Sequence, residues 1–331
     1  MEKTMQEFLG IGWPARSRKP ASGVRKNGLT MVMDTGWPVS FVEDQMAQFG
    51  EYLDVAKIWD PHLRAPEKEV RRKIDVYRKY NVRVQPGGIF MEVARIEGTE
   101  KTVMPRLADL GFNIIEVSST ATSTGGGRDM KAEAEFCREA QKMGFAVFGE
   151  VGKKFAEGDT TRKSEEEVDE AETIREMQAL LNAGCERVYW EGHLLRRVMG
   201  EEASELVAKR DTGTRQVQRV AAAVGTDRII FEVSPLRMVL QRRALQFWLI
   251  NLFGTEVNIG NARLEELGLI EALRSGSHPV HGFKLAGDYP WIRAMESKKG
   301  ADYAWWAEAL DPTLVPAESN TKPAKKIAGA R

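Results

Sequence analysis

Glu150, Lys153 and Lys154 stand where the apolar run Phe145-Ala146-Val147-Phe148-Gly149 gives out. An unpaired carboxylate or ammonium buried in a protein costs several kcal/mol. A strand therefore carries such groups at its end when that end opens into a polar site. A carboxylate beside two ammonium groups can grip an anion, steady a developing negative charge and move a proton. Other apolar runs end in the same way. Asp34 closes one, and Lys57 with Asp60 closes the next. Gln85 closes the third, Glu116 the fourth, Glu191 with His193 the sixth and Glu232 the seventh. If each of these were purely structural, each would need its own buried partner. Together they predict one shared site. Converging carboxylates without a Cys or His cluster suit a hard, oxygen-liganded cation such as magnesium.

Three glycine-containing segments add anion-binding expectations. Gly87-Gly88 would let backbone approach a ligand closely. The stretch before Arg128 (Thr124-Gly125-Gly126-Gly127) could cradle an anion on backbone amides. Asn258, Gly260 and Asn261 follow what reads as the eighth strand, where barrels often hold phosphate. With Lys154, these form the expected substrate-binding set. The four histidines, His62, His193, His278 and His281, match no zinc spacing. His193 is the one placed for proton transfer or binding.

The elements that must position these groups alternate. Short runs rich in Val, Ile and Phe, as in strands covered on both faces, occur at Leu29–Asp34, Tyr52–Ile58, Val82–Gln85, Phe112–Val117, Phe145–Val151, Arg187–Glu191, Arg228–Val233 and Glu256–Ile259. Helical patterns separate them at Ser40–Gly50, Pro66–Tyr80, Gly98–Leu110, Asp129–Met143, Glu165–Ala183, Glu202–Val224, Val239–Phe253 and Leu264–Arg274. Gly50, Gly111, Gly144, Gly184, Gly225 and Gly254 sit where left-handed helix caps are wanted. The charged run from Lys163 to Glu176 reads as a solvated helix start capped by Ser164. This alternation predicts an α/β fold, a (β/α)8 TIM barrel over 28–276, with its chemistry at the C-terminal strand ends. A doubly wound open sheet is the alternative.

Residues 1–27 read as an irregular lead-in. Residues 277–311 carry Tyr289, Trp291, Tyr303, Trp305 and Trp306 and read as an aromatic-rich helical extension. Such aromatics either cover the barrel flank or form a homo-oligomer interface. Residues 312–331, rich in Pro, Ala and Lys, are expected to be disordered. Lysine plus arginine and aspartate plus glutamate both number 48, a formal net charge of zero. That excludes a general nucleic-acid or membrane-surface binder. Two cysteines and no long apolar span fit a cytoplasmic protein without a disulfide framework.

Ordered motifs then carry a family resemblance. Gly28-Leu29-Thr30-Met31-Val32-Met33-Asp34, Asp54-Val55-Ala56-Lys57, Gly87-Gly88 and Gly111-Phe112-Asn113-Ile114-Ile115-Glu116 come first. Glu150-Val151-Gly152-Lys153-Lys154, Glu191-Gly192, Val257-Asn258-Ile259-Gly260-Asn261 and Leu273-Arg274 follow. Over about residues 24–277 the chain resembles the phosphosulfolactate synthase family. The resemblance implies a barrel lyase that adds sulfite to phosphoenolpyruvate with magnesium, on the way to coenzyme M. It implies Lys153 as the general acid; Lys57, Glu150 and His193, taken from their places at strand ends, complete the expected catalytic set. Asp34, Glu116, Glu191 and Glu232 are then the expected metal donors. The chain departs from the family pattern after Lys57 (Ile58-Trp59-Asp60-Pro61-His62), after Gly192 (His193-Leu194) and beyond Gly276. A barrel lyase, isomerase or hydratase acting on a non-phosphorylated acid is therefore a second expectation, and a catalytically silent scaffold barrel a third.

Overall fold

In a computed structural model of the 331-residue chain, the structure describes residues 5–10, 25–118, 129–152, 169–192, 195, 213–233 and 239–275. The chain divides into two units, Pro14–His278 and Met1–Trp13 together with Pro279–Arg331. In the second of these only a short helix, α1 (Met5–Leu9), is described. The expected aromatic extension, the tail and most of the lead-in lie outside the described residues.

Pro14–His278 forms a (β/α)8 TIM barrel. Its strands are β1 (Thr30–Asp34), β2 (Val55–Ile58), β3 (Arg83–Pro86), β4 (Ile114–Val117), β5 (Ala146–Val151), β6 (Arg187–Trp190), β7 (Ile229–Glu232) and β8 (Ile259–Ala262). The parallel order is β3-β2-β1-β8-β7-β6-β5-β4. Described helices between them are α2 (Val39–Phe49), α3 (Glu67–Lys79), α4 (Gly88–Ile96), α5 (Glu100–Leu110), α6 (Met130–Lys142), α7 (Glu170–Ala183), α8 (Gly213–Val224), α9 (Val239–Phe253) and α10 (Leu267–Arg274). No helix among the described residues is long and apolar enough to cross a membrane.

Strand side chains alternate between two buried environments. One phase, Leu29, Met31, Val55, Ile114, Phe148, Tyr189 and Ile230, forms a single apolar cluster in the barrel. The other phase, including Val32, Ala56, Val84, Ile115, Val188 and Phe231, is equally buried. Burial on both faces is why the strands read as continuous apolar runs.

Where strands begin, N–H groups lack partners, and one device supplies them three times. The Thr30 N–H donates to Asp54 Oδ2 at 2.9 Å, the Val84 N–H to Asn113 Oδ1 at 2.8 Å and the Leu29 N–H to Asn258 Oδ1 at 2.9 Å. At the β3–β4 seam the Asn113 N–H also donates back to Val84 O at 3.0 Å. Arg274 works at the same end. It is 1 % exposed, and it donates to the carbonyls of Thr255 and Val257.

Four expectations are corrected. Strand β8 begins at Ile259, three residues later than its predicted start, so Asn258 stands before the strand and not at its C-terminal end. A helix not predicted, α4, begins at Gly88 directly after β3, so Gly87 and Gly88 open a helix instead of a loop. Helix α7 begins at Glu170, five residues after its predicted start, capped by Asp169, whose side chain accepts the Glu172 N–H at 2.9 Å, while Ser164 lies outside the described residues. Gly50 is no left-handed cap: its φ is −60°, and a Cβ there would lie 2.7 Å from the Tyr80 ring. Packing, and not backbone freedom, requires glycine at that position.

Candidate active site

The barrel phase that holds Val55, Ile114, Phe148, Tyr189 and Ile230 continues two residues on to Lys57, Glu116, Glu150, Glu191 and Glu232. An apolar layer thus ends in a layer of charge. Lys57 is the described centre of it. Its Nζ lies 2.8 Å from Glu116 Oε2 and 3.1 Å from Glu232 Oε1, and it sits 4.5 Å above the centre of the Tyr189 ring. Burial alone would push this ammonium's pKa down. Glu116, Glu232, Tyr189 and Glu150 together hold it well above the usual lysine value. Lys57 is therefore a fixed positive charge and not a proton donor in its resting state.

Gln85 braces the same pair. Its Nε2 donates to Glu116 Oε2 at 2.9 Å, and its Oε1 accepts the Tyr189 hydroxyl at 2.7 Å. Gly88 lets α4 approach: the Glu116 carboxylate and the Ser118 hydroxyl occupy the space a Cβ would take. Ser118 in turn donates to Glu92 of α4 in a very short hydrogen bond. Glu150 and Glu191 complete the rim at 2 % and 6 % exposure. On β8, Gly260 lies against Ile230, Met31 and Glu232. Asn261, at φ 51°, has a buried Oδ1 without a hydrogen-bond partner among the described residues. Such an orphaned acceptor at a strand end suits a ligand donor.

Asp34 belongs elsewhere. Met31 faces the barrel interior, so Asp34, three residues on, has the opposite phase and meets α3. It accepts from Lys73 Nζ at 3.1 Å, Tyr77 OH at 2.8 Å and the Gly36 N–H at 3.0 Å, and His62 Nε2 lies 3.3 Å away. Burial would raise the carboxyl's pKa, but His62, Lys73 and the Gly36 N–H outweigh it and bring it to about 2. The folded value is below the unfolded 3.8. The charge thus stabilises the fold above about pH 4, and that stability is lost as pH falls toward 2, a gap of roughly 2 kcal/mol. The acid limb of the stability curve is expected to be flatter by that amount in Asp34→Asn. Denaturant melts at about pH 5 and 2 measure it, and equal limbs would remove Asp34 from the acid response.

Of the four expected metal donors, one is turned away from the mouth and two are already joined by a lysine. Asp34 is tied to α3, and the Lys57 ammonium bridges Glu116 and Glu232. Among the described residues no group of three or more His, Cys, Asp or Glu side chains could hold a metal ion. The charge at the centre of this mouth is an ammonium.

The sequence model described as (2R)-phospho-3-sulfolactate synthase (ComA) matches residues 14–279, the whole barrel. The chain belongs to the phosphosulfolactate synthase family. Among curated members it is 30% identical over 264 residues to the phosphosulfolactate synthase of Methanothermobacter thermautotrophicus, covering 80% of this chain and 93% of that one. The Methanocaldococcus jannaschii phosphosulfolactate synthase is 28% identical over 252 residues, 76% of this chain and 92% of the relative. That of Bacillus subtilis is 25% identical over 277 residues, 82% and 97% respectively.

In this phosphosulfolactate synthase family member the expected site residues separate into three groups. The structure brings together Lys57, Glu116 and Glu232, with Glu150, Glu191, Gly88 and Gly260 around them. It sends Asp34 to α3 and Asn258 to the opposite end of the barrel. There the Asn258 Nδ2 donates to the Asp227 and Ile229 carbonyls at 3.0 and 2.9 Å, so its amide is spent on backbone. Gly87 gives room to Asp60. Lys153, Lys154, His193 and Arg128 lie outside the described residues. Tyr189 is the member of the cluster that strand-end polarity does not single out. Its position two before Glu191, on the same strand face, is the signal that points to it.

Proposed function

We propose that this chain is a phosphosulfolactate synthase, adding sulfite to the methylene carbon of phosphoenolpyruvate. The observation that carries this reading is the family match spanning the whole barrel, 14–279. The charged mouth of the barrel is compatible with it. Sulfite's sulfur lone pair forms the carbon–sulfur bond. The double-bond electrons move toward the substrate carboxylate, which becomes doubly negative, and a proton then enters at the neighbouring carbon. The phosphate stays in place, and nothing is oxidised or reduced. A fixed ammonium such as Lys57 is suited to the charge that develops. Lys153 is proposed as the proton donor to carbon. Glu150 sits where it can hold a neighbouring lysine charged, while Asn261 and Gly260 line the β8 side.

Purified full-length protein incubated with phosphoenolpyruvate and sulfite, with magnesium or with EDTA, tests this by mass spectrometry of the product. Phosphosulfolactate is expected. Its absence from folded protein would overturn the reading. Equal rates in both arms would fit the ammonium-centred mouth. Loss in EDTA that magnesium restores would assign the ion to donors other than the Lys57-bridged pair.

A further inference from the structure

We infer that Tyr189 is a positioning residue, setting Lys57 and Glu116 through Gln85. This deepens the proposed synthase function and rests on it. The chain of contacts is continuous and spans four strands. Tyr189 (β6) donates to Gln85 Oε1 (β3) at 2.7 Å, Gln85 Nε2 donates to Glu116 Oε2 (β4) at 2.9 Å, and that same oxygen receives Lys57 Nζ (β2) at 2.8 Å. The Tyr189 ring also lies under Lys57 at 4.5 Å. Tyr189, Gln85 and Glu116 are at most 1 % exposed.

The direction of the chain is fixed by its ends. Burial, with Glu116 and Glu232 adding to it against the Lys57 charge, raises the Tyr189 hydroxyl far above its usual pKa, so it stays a donor. A donor at that point forces the Gln85 carbonyl toward Tyr189 and the NH2 toward Glu116. Without the hydroxyl, the buried Gln85 carbonyl loses its donor, and the amide is tied only at its Glu116 end and can shift. Glu116 Oε2 would then shift, and the ammonium it holds would shift with it. The ring beneath Lys57 would remain, so removing the hydroxyl separates the two functions of this side chain. Displacement of a charged group by a fraction of an ångström is costly at a reacting centre.

Tyr189→Phe, Gln85→Leu and the double variant test this. Tyr189→Phe is expected to lower kcat about tenfold, or 1.4 kcal/mol, with KM little changed. In the Gln85→Leu background the same substitution is expected to have no further effect, because the link it acts through is gone. Wild-type kcat in Tyr189→Phe would overturn the inference. So would equal, additive losses in the two backgrounds, which are the mark of a merely structural residue. If the wild type forms no phosphosulfolactate, the functional reading fails separately. The relay is then read from the Lys57 signal in NMR spectra of protein labelled at the lysine side chains. The same displacement in Tyr189→Phe and Gln85→Leu supports it, and an unmoved signal sinks it.

Discussion

Lys57→Met is expected to lower kcat by about 100- to 1000-fold, the usual effect of removing one fixed group that stabilises transition-state charge. The variant should also be less stable. Glu116 and Glu232 are each 1 % exposed and are bridged by Lys57 at 2.8 and 3.1 Å. Deleting the ammonium takes away the cation that two buried carboxylates share, a loss of about 3–5 kcal/mol. Part of that loss is relieved if one carboxylate takes up a proton, so the deficit should shrink as pH falls. Adding Glu116→Gln and Glu232→Gln should recover most of the stability and none of the activity. The two readouts thereby separate the structural and chemical roles of one side chain. Near-normal kcat in folded Lys57→Met would reduce the cluster to a structural pair.

Lys153→Ala is expected to lose about 100- to 10,000-fold in kcat, the range for removing a general acid, with an unchanged melting temperature. Lys153 follows the last residue of β5, Val151, by two positions. It stands beside Lys154 in the Glu-Val-Gly-Lys-Lys segment that carries the family resemblance, and its role as donor is a proposal. Lys154→Ala is the matched control, because it removes the same charge one residue away. A larger loss there, mostly in kcat, would exchange the two assignments. Wild-type turnover in Lys153→Ala would remove the proton-donor assignment altogether.

Part of this site is legible in the amino-acid sequence. Short runs of Val, Ile and Phe ending in Lys57, Glu116, Glu150 and Glu232 announce strands that are apolar along their length and charged at one end. A barrel mouth gathers such ends into one polar site. Other features are not legible there, because they depend on phase and register. Asp34 and Glu116 look alike as acids at strand ends, yet Met31 fixes the phase of β1 and turns Asp34 outward toward Lys73 and Tyr77. Asn258 reads as a residue after a strand. A three-residue shift of β8 makes it one before a strand, where its amide bonds backbone at the other end of the barrel. Ile89–Ile96 carries a helical pattern of its own, masked by the two glycines before it, which suggest a loop.

The sequence by itself determined the alternation of eight strands with helices, the family, and which residue types stand at the strand ends. Those follow from local composition, which needs no knowledge of partners. The tertiary structure alone decided which of these groups meet. Lys57 finds Glu232 across a sequence separation of 175 residues, and Tyr189 finds Gln85 across 104. A period of two brings side chains to one face of a strand, but closing the barrel is what brings separate faces together. The carboxylates that hold the buried Lys57 charged, and the orientation of the amide that braces it, come together only after that closure.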